Sequence, residues 1–187
     1  MNMEQNVIQK NMWNTAGKAG LYLGLASTAY LFITQLMTQA EMPALLNSIL
    51  TFVLWAAKFA GCIWIMKFFM KKFASENESV NNSGIFRLGM RMAILSAVVY
   101  SAFAFANVAF ISTGYFDAQM DTMMQQMGSM MDSNTQSLIE TYMENLPQIT
   151  FISNLIYCFI FGTVLSFILS RNIPSKNPFA DYKPDEQ

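Results

Sequence analysis

Lys58 is the residue of this sequence that most needs a chemical explanation. It stands 13 positions after Leu45 and 12 before Met70, inside an apolar run long enough to cross a bilayer. A lysine at the centre of the hydrocarbon costs about 2.5–3.5 kcal/mol on insertion scales, so such a side chain faces a bundle interior or a water-filled cavity. Thr51, Leu54, Lys58, Gly61 and Ile65 share one helical face, and that face is expected to point inward. No Asp or Glu falls in any of the apolar runs, so partners for the ammonium within the chain must be neutral. By depth, Thr28, Tyr100 and Tyr157 can reach the same level. The set Lys58, Thr28, Tyr100 and Tyr157 is the candidate mid-membrane polar site, suited to a lipid phosphate, an anion or a partner's acid. The plainer reading is an ammonium that snorkels or is satisfied by hydroxyls and carbonyls.

A second set is made of methionines. Phe116, Met120, Met123, Met124, Met127, Met130 and Met131 recur at the spacing of one helical face. Thioethers are soft ligands that suit Cu(I). Without cysteine or histidine nearby, however, the expectation is an adaptable apolar face that packs on a partner or on lipid, with no metal. Met120, Met123, Met124, Met127, Met130 and Met131 are therefore a candidate partner- or lipid-binding face.

Other chemistry is missing. The 187 residues include no histidine, which removes the usual general base. There is no nucleophile–base pair, no carboxylate pair in a span and no phosphate loop, so an enzyme is not expected and no cofactor is implied. Charged residues make up 12% of the chain, about half the share in a soluble domain, while 53% are hydrophobic. A formal net charge of −1 implies no bulk electrostatic partner and no nucleic acid.

The elements that position these groups are apolar spans. Four runs qualify, at about 19–37, 45–70, 92–111 and 149–169. The first is read as a span because its 19 residues exceed the apolar core of a cleaved leader. Ten of the 11 basic residues flank the spans on one side, and the two links on the other side carry six acids and no Lys or Arg. By the positive-inside rule both termini are cytoplasmic. Residues 1–15 are expected to cap the first helix, and Ser75 to Gly84 to form a solvated loop. The segment 112–148 is expected to be an amphipathic helical hairpin outside the membrane, with Ser133 and Gln136 as a capping box. Residues 172–187 read as a flexible tail. Gly20 and Gly24, Ala57 and Gly61, and Ala93, Ala97 and Ser101 repeat every four positions, which lets helix backbones approach closely. Cys62 and Cys158 lie within spans and read as reduced, small apolar residues.

Several segments carry a resemblance. Lys18-Ala-Gly-Leu-Tyr-Leu-Gly24, Ser83-Gly84 with Gly89, Tyr115-Phe116-Asp117 with the Met/Gln-rich link, and Gly162 to Arg171 together resemble a bacterial membrane-protein family, domain-of-unknown-function family 4199. The resemblance covers nearly the whole chain and implies no activity or functional residue. It suggests a neighbouring membrane glycosyltransferase that works on polyprenyl phosphate as a partner. The resulting expectation is an all-α, single-domain, four-transmembrane-helix bundle in the bacterial inner membrane. It would serve as a non-enzymatic accessory protein for a partner membrane protein or as a homo-oligomer. The alternative is a small oligomeric transporter or lipid- or anion-binding protein that uses Lys58.

Overall fold

The computed structural model describes residues 3–40, 42–77, 79–127 and 132–174, and is all-helical, with no strand among them. The elements in chain order are α1 (Met3–Gln39), α2 (Ala44–Glu76), α3 (Asn82–Ala106), a π-helical turn (Asn107–Ile111), α4 (Thr113–Met127), α5 (Ser133–Glu144) and α6 (Leu146–Arg171). Four helices are long and apolar enough to cross a membrane: α1, α2, α3 with its π turn, and α6.

The sequence explains why these helices persist. An apolar segment in hydrocarbon must satisfy every backbone N–H and C=O within itself, which a helix does. Pro43 precedes the first turn of α2 and Pro147 sits in the first turn of α6, where the missing N–H costs nothing. Asn77 and Asn172 close α2 and α6 by donating their side-chain amides at 2.9 Å to Phe73 O and Ile168 O. Each satisfies a carbonyl that the end of a helix would otherwise leave open.

α3 is the central helix, packed between α1 and α6, while α2 leans mainly on α1. Between helices in lipid the hydrophobic effect supplies little attraction, so close packing must hold the bundle. Glycines permit it. A Cβ on Gly20 would lie 2.7 Å from Leu95 Cβ, and one on Gly24 would lie 2.6 Å from Val99 Cβ. α1 and α3 therefore touch nearly backbone to backbone.

The tightest core sits at one end of the bundle, where Met12 and Ala16 of α1 meet Met70 and Phe73 of α2, Ile85 and Leu88 of α3, and Leu169 of α6. This is the end that carries the basic residues, here called the basic end. Its cations stack on rings: the Arg91 guanidinium lies 4.7 Å from the Trp13 ring centroid, and that of Arg171 lies 4.3 Å from Phe167.

Three local expectations need correction at the helix ends. The described residues before Lys18 do not form a separate cap. They continue α1, because Met12 and Ala16, four apart, reach the core. The expected loop Ser75–Gly84 shrinks to residues 77–81, since Asn81 caps α3 by accepting from Gly84 N at 2.8 Å and Val80 is buried. At α5 the N-cap is Asp132, not the Ser133–Gln136 box. Its carboxylate accepts from Thr135 N at 2.8 Å.

At the other end the π turn does structural work. Asn107 is buried there, donates to Gln35 Oε1 at 2.8 Å and accepts from the Ser112 hydroxyl at 2.9 Å. The bond to Gln35 ties α3 to α1 just before the chain leaves the bundle. Beyond it α4 is helical, as the methionine periodicity predicts, and α5 is helical too. Among the described residues α4 lies against the π turn and α5 against α6.

Candidate functional site

α2 is tightly held only near the basic end, where it buries Met66, Met70, Phe73 and Ala74. Toward its start it diverges from the bundle, and Leu45 and Phe52 are 76% and 67% exposed. The divergence opens a cavity of about 190 Å³ to which all four long helices contribute lining. Ser27 of α1 and Ser96 of α3 bring hydroxyls, Lys58 and Cys62 of α2 and Cys158 of α6 bring an ammonium and two thiols, and Trp55, Phe59, Tyr157 and Phe161 bring rings.

Lys58 is half-buried, on the inward face expected for it. Its Nζ lies 4.7 Å from the centroid of Tyr30 and 5.4 Å from that of Tyr100. A cation over an aromatic face is worth about 0.5–1 kcal/mol when exposed and about 2 or more when desolvated. Two such contacts are comparable to the insertion cost of a mid-membrane lysine. The ammonium is thus stable here without an acid. The rings engage its charge but offer no lone pair in line with its N–H groups, and no hydrogen-bond acceptor reaches Nζ among the described residues.

Of the residues matched to Lys58 by depth, Tyr100 packs over the ammonium and Tyr157 lines the same cavity. Thr28 does not line it. Its buried hydroxyl donates to Gly24 O at 2.9 Å on its own helix, the nearest acceptor for a hydroxyl in hydrocarbon. Tyr30 was not foreseen. It shares a face with Leu23 and Ser27, but a search for hydroxyl partners passes over a ring that engages the cation with its face. Cys62 and Cys158, read as bland, both line the cavity as free thiols. The Ala57–Gly61 repeat does not pack as expected, because a Cβ on Gly61 would meet nothing within 4 Å.

The methionine face is divided. Met120 and Met124 are half-buried and Met123 is exposed. Met120 shares a cleft of about 230 Å³ with Met143, Phe116 and Pro147. Met127 ends α4, and Met130 and Met131 lie outside the described residues.

The fold and this cavity define an all-helical protein with four helices of membrane-span dimensions around one cationic, ring-walled cavity. The chain belongs to a family of proteins of unknown function (DUF4199), whose model matches residues 18–171. The match takes in α1 from Lys18 onward, the whole of α2, α3 and α6, and the whole cavity lining. No curated protein and no solved structure matches the chain.

Proposed function

We propose that the protein binds, and does not transform, a membrane-soluble ligand at Lys58. The observation that carries this reading is an ammonium with uncommitted N–H donors, held by Tyr30 and Tyr100 at the wall of a cavity between four helices. Intramembrane ionisable residues mark ligand or ion sites by default, and this one has a preformed space beside it. The basic end faces the cytoplasm in this reading, with the protein in a bacterial inner membrane. Native mass spectrometry of the detergent-purified full chain tests the proposal. A small molecule retained by the wild type and lost from Lys58→Met supports it. Identical bound sets in the two proteins overturn it.

The accessory reading has a support of its own in α2. From Ala44 to Ile65 that helix contributes no buried residue, and its exposed Leu45, Ile49, Phe52 and Val53 leave room for another span. Purification in mild detergent with protein identification tests this: a recurrent membrane partner, such as the lipid-linked-sugar enzyme suggested by the resemblance, supports it. Repeated isolation without one argues against it.

A further inference from the structure

We infer that the cavity beside Lys58 takes the carboxylate of a single-headed acyl acid, a fatty acid in the simplest case, entering sideways from the bilayer between α2 and α6. This rests on the Lys58 reading above and narrows it to one ligand class.

Charge points to an anion. No Asp or Glu occurs in any span, and the ammonium has ring faces beside it but no counter-ion among the described residues. A carboxylate supplies both the missing charge and acceptors for the N–H donors. Size admits the head. A volume of about 190 Å³ holds a carboxylate and the first part of a chain. Depth selects among anions. Lys58 is near the middle of its span, and a phosphodiester would have to arrive there charged, at high desolvation cost. A carboxylic acid crosses hydrocarbon in its neutral form.

The mouth fits a chain. Trp55 stacks on Phe59 at 5.6 Å along α2, and Tyr157 stacks on Phe161 at 6.3 Å along α6. The two ladders meet at Phe59 and Phe161, whose centroids are 5.4 Å apart. Both helices run toward the basic end, so the rings close the mouth on that side. Away from it, Trp55 and Tyr157 are 50% and 67% exposed and make no mutual ring contact. A chain leaving the cavity there lies along flat apolar rings and remains in hydrocarbon.

Bromine quenching of Trp55 tests the inference in the full chain. The sequence has three tryptophans, so Trp13→Phe with Trp64→Phe leaves Trp55 alone. This protein, in neutral detergent, is titrated with dibromostearate, with dibromostearamide, and with the lysophosphatidate of the same brominated chain. Saturable quenching by dibromostearate is expected, about tenfold tighter than by the amide, a difference of ~1.4 kcal/mol. It should be retained in Lys58→Arg and lost in Lys58→Met. Equal, Lys58-dependent quenching by the amide would overturn the carboxylate assignment and leave the Lys58 site standing. Tighter binding of the lysophosphatidate would overturn it in the same way. Quenching by none of the three, with native mass spectra unchanged by Lys58→Met, would overturn both readings.

Discussion

Ser166 occupies the space into which a side chain on Gly89 would have to grow. Its hydroxyl, buried at the α3–α6 contact, donates to Phe86 O at 3.0 Å, and a Cβ on Gly89 would overlap that hydroxyl and lie 2.8 Å from Ser166 Cβ. The two helices are thus fitted to each other at one residue pair. Gly89→Ala is expected to destabilise the bundle by about 1–3 kcal/mol, the usual cost of overpacking. Adding Ser166→Gly removes both clashing atoms and should recover most of that loss. Thermal unfolding in detergent, followed by the monodisperse fraction, measures both. An unchanged midpoint for Gly89→Ala alone would mean that the helices separate freely here.

Lys58→Met is expected to raise the thermal midpoint of the ligand-free protein. The substitution removes a desolvated charge and replaces it with an apolar chain of similar length, and such exchanges are often neutral or stabilising. The lysine's own ring contacts only offset its cost. Tyr30→Leu in the presence of Lys58 should lower the midpoint, by about 1–2 kcal/mol, because the ammonium stays and loses one face. A Lys58→Met protein much less stable than wild type would show that the lysine holds the bundle together.

The four spans were legible because hydrocarbon leaves a chain few options, and long runs without charge record that constraint. The helix ends were less legible. Met12 and Ala16 lie among polar residues, and only the core that they join at Phe73 and Leu88 shows why α1 continues outward. At α5, Asp132 and Ser133 are both good caps, and a one-residue register chooses between them. Lys58 announces itself as a charge among apolar residues. Depth along the spans brings out Tyr100 and Tyr157 but not Tyr30, because which rings reach the ammonium also depends on helix rotation and on the divergence of α2, neither of which periodicity encodes. The methionine pattern of α4 shows a face but not what covers it.

Asn107 joins three segments through one side chain, so its loss should loosen the end of the bundle away from the basic residues. Asn107→Leu leaves the Gln35 amide and the Ser112 hydroxyl without their partner. Side-chain bonds between membrane helices average about 0.6 kcal/mol, with a maximum near 1.7. The global midpoint should therefore fall modestly, while hydrogen exchange accelerates at the amides of Ser112, Tyr115 and Phe116, which bond back to the π turn and Ser112. Exchange unchanged at these amides would show that the turn holds without the side chain.

Asp132 makes the start of α5 sensitive to acid. The Thr135 hydroxyl and then its backbone N–H favour the ionised carboxylate, which holds this group below the usual carboxylate range. Its contribution to α5 is therefore complete above the pKa of an unfolded aspartate and is lost as pH falls through the lowered folded value. The Thr135 amide resonance should move in that acidic window and stay still at neutral pH. Asp132→Asn, which still accepts the bond, should remove the pH dependence and keep the first turn, whereas Asp132→Ala should fray it at every pH. A Thr135 resonance that titrates identically in Asp132→Asn would place the responsible group elsewhere.

The proposed orientation of the bundle rests on cost at its two ends. The α2–α3 connection at residues 77–81 is flanked by Lys67, Lys71, Lys72, Arg87 and Arg91, while α4, at the opposite end, carries Asp117 and Asp121 and no Lys or Arg. Moving the basic cluster outward opposes the membrane potential at about 2.3 kcal/mol per charge per 100 mV, so five such charges outweigh any single packing contact described above. In a protein with Cys62 and Cys158 replaced by alanine, a membrane-impermeant maleimide added to intact cells should label Gly114→Cys, whose position is exposed with open space around it. It should spare Asn82→Cys, equally exposed at the start of α3, until the cells are lysed. The reverse pattern would invert the protein. Labelling of both positions in intact cells would mean that α3 does not cross the membrane, and the cavity beside Lys58 would then no longer lie in hydrocarbon.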